Sequence, residues 1–399
     1  MAGPLEGIQV LDLTRNVAGP YATKLMADYG ADVLKVEPPG GDPSREAGPF
    51  PGDEPHPEKS ALFLHLNTNK RSITLDPSTT DGQALVTQLA ARSDVVLEDF
   101  APGQAAQWGI GWEQLSADRE DLVMASITPF GQSGPYRDYL GSEITLEAMG
   151  GPMLNTGHGE KQPLKLGGST AHYHAGATAA FAIMTTRLRV EMGGEGDHID
   201  LSVFECQAGF RDRRTIFVTG ASYTGDARPR PIAGTRLGSG VRPCLDGYVN
   251  LLAGRRIDEF LALIEKPELK ADLPDVPPNQ MPPEIVEMLE AEYLMWLLQR
   301  PKTEIIARAQ ELHILSGAIL TVEDLVTDEH FGGRDVWDEI DHPVAGTFTY
   351  PGRPMVMSAS PRPKPEAAPL LGEHNEEVFV GELGIESAEL GRLRSQGVV

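Results

Sequence analysis

PLEGIQVLDLTRNVAGPYATKLMADYGADVLKVEPPGGDPSR, residues 4–45, is the stretch whose reading decides the fold. Ile8 to Leu13 is a short apolar run bounded by turn residues and reads as a strand, Pro20 to Tyr29 has helical periodicity, and Ala31 to Glu37 reads as the next strand. Gly30 stands where a helix-closing glycine is expected. Downstream the alternation continues: a strand at Ser72 to Asp76, a helix from Asp81 to Arg92, and strands at Asp94 to Glu98 and Leu122 to Thr128. Strands separated by helices of this length predict right-handed crossovers and a largely parallel sheet, so the fold class is α/β.

Outside this pattern the chain changes character. GPFPGDEPHPEK (48–59) is a loop-rich interruption expected to lie on the surface, ARPRP (227–231) breaks the pattern again, and DLPDVPPNQMPP (272–283) reads as an exposed connection. Between and after the last two lies a smaller α+β unit, with a strand pair around Asp246 to Leu252 and helices starting near Ile257, Glu284 and Thr303. From His342 the tail is expected to be turn-rich and extended.

A chain of 399 residues suffices for two or three domains at about 150 residues each. Hydrophobic residues at 40% and charged residues at 23% place it among ordinary globular proteins. With 58 acidic against 34 basic residues the formal charge is −24, which repels phosphate backbones and anionic lipid surfaces. Nucleic acid and membrane are therefore not expected partners, and an anionic ligand would need basic residues gathered locally. Cys206 and Cys244 provide neither a disulfide framework nor CxxC spacing, which fits a reducing cytoplasm. MAGPLEGIQVLDL has no export signature, and the longest apolar segment, Ala175 to Met184, is rich in glycine and alanine and reads as a buried helix.

A second stretch carries the chemistry. LGGSTAHYHAGATAAFAIMTTRLRVEMGGEGDHIDLSVFE (166–205) reads as a glycine turn, a helix of small residues and a returning strand. With the opening βαβ unit, LNTNKRSITLD (66–76), SDVVLEDFAPG (93–103), SITPFGQSGPYRD (126–138), DHPVAGTFTYPGRP (341–354) and PLLGEHNEEV (369–378), it forms an ordered set that resembles the family III CoA-transferases, also known as CaiB/BaiF, over nearly the whole chain. The resemblance implies a large Rossmann-like domain from 1–225 and 330–399, a small α+β domain from 226–329, and two interlocked subunits. It also implies coenzyme A or an acyl-CoA as substrate, with a carboxylic acid as the second substrate and no metal. Val17, Lys70, Arg71, Gln107, Gly131 and Arg137 fall at the positions where the resemblance places CoA contacts. Gln107 stands where the family has arginine, and Pro38 and Pro39 stand where a basic residue is frequent. The glycines at 40, 41, 131 and 134 either admit backbone to a bulky nucleotide or serve tight turns alone.

One position departs sharply. Four residues before Gly176 the family carries the aspartate that attacks the thioester, and here His172 takes its place. The covalent cycle needs an acyl carbon on the enzyme to which CoA sulfur can bond, and imidazole has none. The histidine that racemases of the family use corresponds to Ser142. His172, His174 and Glu143 are then the candidate catalytic residues, with His172 suited to proton transfer at neutral pH. The competing reading makes His172 an ordinary residue at a helix N-terminus. The spacing of His172 and His174 brings both to one face only in extended chain, which argues against a metal. Three functions remain open: the aspartate-lacking subunit of a CoA-transferase paired with an aspartate-bearing homologue (or with its own copy), an acyl-CoA racemase, isomerase or lyase with His172 as base, and a CoA-binding module without turnover.

Overall fold

The computed structural model describes residues 3–209, 219–225, 237–360 and 364–399. Its main sheet has six parallel strands, β1 (Gln9–Asp12), β2 (Asp32–Glu37), β3 (Arg71–Thr74), β4 (Val95–Glu98), β5 (Val123–Thr128) and β6 (Asp197–Ser202), in the order β3-β2-β1-β4-β5-β6. This is the doubly wound arrangement, and the strand order reverses between β1 and β4. Loops leaving the carboxyl ends of those two strands diverge there, and the crevice between such loops is where open α/β sheets bind ligands. Every residue of β4 and β5 is buried, which explains why neither shows polar–apolar alternation: only Glu98, Ser126 and Thr128, in their carboxyl halves, are polar.

Helices cover both faces. One face packs against α1 (Ala18–Ala27) and the 22-residue helix Thr170–Glu191, through Ala18, Ala22, Met26, Ala171, Ala175, Ala179 and Ile183. The other packs against the helix Thr80–Ala90 and the C-terminal residues Val378, Phe379, Leu390, Leu393 and Val398. Contacts divide the chain into two compact units: Met1–Gly157 with Pro163–Arg230 and Asp335–Val399, and His158–Gln162 with Pro231–Arg334. In the second unit an antiparallel sheet of Ser239–Cys244, Gly247–Leu252 and Ser316–Ile319 packs on the helices Ile257–Leu263 and Pro283–Leu298 around Phe260, Leu289, Tyr293 and Leu297.

Three details differ from the sequence reading. Gly30 takes φ +105° but lies two residues beyond the α1 C-cap, Asp28, where its backbone presses on Gly3. The tail from His342 starts extended and turn-rich, in an antiparallel hairpin of Trp337–His342 with Gly346–Pro351 turned at Gly346 with φ +94°, but it ends in helical segments, Glu376–Glu382 and Ser387–Ser395. The third strand of the second unit, Ser316–Ile319, is too short to carry a period. The break at 227–231 lies outside the described residues.

Candidate active site

The crevice at β1 and β4 is built on buried carboxylates. Asp12, the last residue of β1, accepts from the Thr14 backbone N–H at 3.0 Å and from the Thr23 hydroxyl at 2.6 Å. Asp42 accepts from the backbone N–H of Asn16 at 3.1 Å and pairs with the fully buried Lys35 at 2.8 Å. Asp99 accepts from the backbone N–H of Arg15 at 2.8 Å and from its guanidinium at 3.2 Å. Three acids thus clamp residues 14–16, with Asn16 held at φ +61°, and deliver Val17 as the N-cap of α1 with no side-chain cap of its own. Burial raises Asp99 to about 6 against the pull of Arg15, and raises Glu98 to about 7 although Ser126 and the Phe100 N–H favour its charged form.

Across from this loop stand two helix starts. Ser142 is the N-cap of α2 (Glu143–Met149), and Thr145 Oγ1 accepts from the Ser142 backbone N–H at 2.8 Å. The next residue, Glu143, points its carboxylate at the N-terminus of α3, our label for Thr170–Glu191. Ser169, the N-cap of α3, makes no side-chain cap bond, and Glu143 does that work from a neighbouring helix. Its two oxygens accept from the backbone N–H groups of Ala171 at 2.7 Å and His172 at 3.3 Å. Both are donors that a helix leaves unpaired in its first turn, where negative charge is also favoured.

The same carboxylate lies 2.5 Å from His172 Nδ1. Burial raises the Glu143 carboxyl, but the bonds from His172 and Ala171 outweigh it and leave its pKa below the ordinary value. An ionised carboxylate only accepts, so Nδ1 is the donor of this pair and Nε2 is the ring's other nitrogen. The His172 side chain is 28% exposed, so the ring is partly open to solvent.

His174 lies on a different face of α3, beside Gln207, whose Nε2 is 3.4 Å from its Nδ1. The pair His172 and His174 therefore does not converge, and among the described residues no group of three or more His, Cys, Asp or Glu could hold a metal. Gly176, one turn after His172 on the same face, is where α3 meets α1: a Cβ there would sit 2.4 Å from the Ala18 carbonyl oxygen. The absence of a side chain brings the start of α1, at Val17, within a turn of His172.

The other expected contact residues have distinct settings. Lys70 is buried, its ammonium bonded to the Pro20 carbonyl and Asn67 Oδ1 at 2.9 Å each and 3.3 Å from Asp12, and burial brings its pKa down to about 7 although Asp12 opposes it. Arg71 bridges Asp32, Glu377 and Glu382. Both cations are engaged within the fold. Arg137 sits over the turn at Gly103, donating to the Pro102 carbonyl at 2.9 Å, and a Cβ at Gly103 would lie 2.8 Å from its guanidinium. Gly131, at φ +88°, opens the adjacent loop, where Gln132 N–H donates to both Asp200 oxygens at 3.0 Å. Gln107 is exposed at the end of the short helix Gln104–Gln107.

Gln207 and the clamping acids Asp42 and Asp99 were missed by sequence reasoning. Acids just past strand ends were a usable signal for Asp99; nothing local marked Gln207, which reaches the site from the helix Val203–Gly209.

The sequence profile of CoA-transferase family III matches residues 5–375. A formyl-CoA:oxalate CoA-transferase of Streptomyces avermitilis is 35% identical, covering 100% of both chains. A subunit of the succinyl-CoA:(R)-benzylsuccinate CoA-transferase of Thauera aromatica is 28% identical over 98% of this chain and 97% of that one. Among solved structures, a CaiB/BaiF family protein from Brucella suis superposes with a TM-score of 0.82 at 28% identity, covering 96% of this chain and 100% of that one.

Proposed function

The chain belongs to CoA-transferase family III, and on that premise we propose that it handles acyl-CoA thioesters as the aspartate-lacking member of a CoA-transferase whose covalent step runs on a partner homologue. The carrying observation is the engagement of Glu143. His172 has no acyl carbon to offer, and the carboxylate beside it accepts from two backbone N–H groups and an imidazole. Such bonds stabilise the carboxylate charge and blunt it as a nucleophile. The relative from Thauera aromatica, named as a subunit, supports this reading. The acyl-CoA would lie in the crevice between the clamped 14–17 loop, the Gly131 loop and Arg137.

The test is expression alone and with an aspartate-bearing homologue, each preparation incubated with acyl-CoA and an acceptor acid. Transfer is expected only in the paired preparation, with the enzyme–CoA thioester on the partner by intact mass. Full transferase activity in a preparation of this chain alone sinks the proposal.

A second reading rests on His172 Nε2, which has no hydrogen-bond partner among the described residues. With Nδ1 held by Glu143, Nε2 is set to take a proton from the carbon α to a thioester, leaving an enolate whose charge sits on the thioester oxygen, and to return it. Wash-in of solvent deuterium at the α-carbon, lost in His172→Ala, is its signature. The interlocked pairing, the cytoplasmic setting and the absence of a metal belong to the same proposal.

A further inference from the structure

The second compact unit holds a cavity of about 160 Å³ that plays no part in the site above. Its walls are Leu252 at the end of one strand and Leu312, Ile314 and Leu315 on the segment entering the strand Ser316–Ile319. Its rim carries Arg255, Arg256 and His313, with one carboxylate, Glu259. Three features set it apart from ordinary surface. In a chain with a formal charge of −24, two adjacent arginines here face a single lining carboxylate, Glu259, a local excess of positive charge. Arg256 is met by Glu259 at 3.2 Å, but Arg255 has no ion pair or hydrogen bond from its guanidinium among the described residues. Leu252 and Leu315 remain 41% and 66% exposed, so the mouth offers apolar surface directly beside unneutralised charge.

The lining is fixed, not a loose loop. His313 is held at φ +55°, and the backbone N–H groups of His313 and Ile314 donate to Gln310 and Ala309 at 3.0 and 2.8 Å. Leu252 N–H donates to the Leu315 carbonyl at 2.9 Å, tying the two apolar walls together.

We propose that this cavity binds an organic carboxylate: the planar head on the Arg255 and Arg256 guanidiniums, the apolar tail on Leu252, Leu312 and Leu315. A cavity of about 150 Å³ accommodates a benzene ring, so a six-carbon aliphatic or a single aromatic ring is the matching size. The arginine fork suits carboxylate and phosphate oxygens alike, and it is the apolar floor that selects for a tail.

Hexanoate and benzoate are titrated into the full-length chain by calorimetry, with hexanamide and inorganic phosphate as controls. Saturable binding of both acids is expected, weakened at least tenfold in Arg255→Ala and Leu315→Glu and unchanged in His172→Ala. Hexanamide is expected not to bind and phosphate to bind at least tenfold more weakly than hexanoate. Arg255→Ala and Leu315→Glu alter exposed side chains, and an unchanged thermal transition in each variant confirms folding. Three outcomes overturn the proposal: no saturable binding, binding unaffected by Arg255→Ala, or phosphate binding as tightly as hexanoate, which marks a simple anion patch. Loss in His172→Ala with Arg255→Ala silent would place the acid in the crevice instead, separating failure here from failure of the functional proposal.

Discussion

At the scale of single residues, Glu143 couples two duties, capping α3 and holding His172. Glu143→Gln keeps an oxygen for the backbone donors but removes the charge that fixes the ring. Under the proton-transfer reading, deuterium exchange should fall by roughly 10²–10⁴-fold with little change in melting temperature. An unchanged exchange rate would remove the dyad from the chemistry. Gly176→Ala probes the close approach of α3 to α1. The added Cβ lies 2.4 Å from a backbone oxygen that cannot rotate away, so overpacking costs roughly 1–3 kcal/mol against about 1 kcal/mol gained in helix propensity. The net is a loss of about 0–2 kcal/mol, and a melting temperature above the parent's would contradict the packing described. Burial is the reason Lys70 is vulnerable: Lys70→Met takes the ammonium away from the buried Asp12 charge and from Asn67, and a loss of about 3–5 kcal/mol is expected in urea unfolding.

Elements impose a pH dependence. Glu98 ends β4 with its side chain buried, accepting from the Phe100 N–H at 2.6 Å, and burial raises it from 4.5 to about 7. Below 4.5 both folded and unfolded chains hold the proton and the group is neutral to stability. Between 4.5 and 7 the folded state binds more protons than the unfolded, so stability falls as pH rises, reaching a penalty of about 3 kcal/mol above 7. Glu98→Gln should therefore stabilise the protein at pH 8 and have little effect at pH 4.5, read from paired urea titrations. A gain of equal size at both values would show that the buried charge is not the cause.

The whole molecule leaves large apolar side chains uncovered on α3, with Phe181, Leu188 and Met192 at 73%, 60% and 80% exposure along one stripe. No helix among the described residues is long and apolar enough to cross a membrane. Interlocking with a homologue or a second copy, as proposed, would bury such a stripe. Native mass spectrometry should then give an assembly of about twice 43.1 kDa, either two copies of this chain or a heterodimer after co-expression. A stable species at 43.1 kDa that retains full activity contradicts the interlocked arrangement.

By itself the sequence determined the parallel α/β sheet, because short, mainly apolar strand segments without polar–apolar alternation are separated by helices that carry their own period. It also exposed the absence of an acyl carbon at position 172, since that is a matter of atom types and not of arrangement. Only the tertiary structure decided what surrounds that position. Glu143 and His172 stand 29 residues apart and meet because two helix N-termini converge, a geometry with no local periodicity. Lys70 and Arg71 look like free cations in sequence, and folding brings Asp12, Asp32 and the C-terminal glutamates to them. Charge is written in composition; which charges remain for a ligand depends on which partners the packing brings within hydrogen-bonding distance.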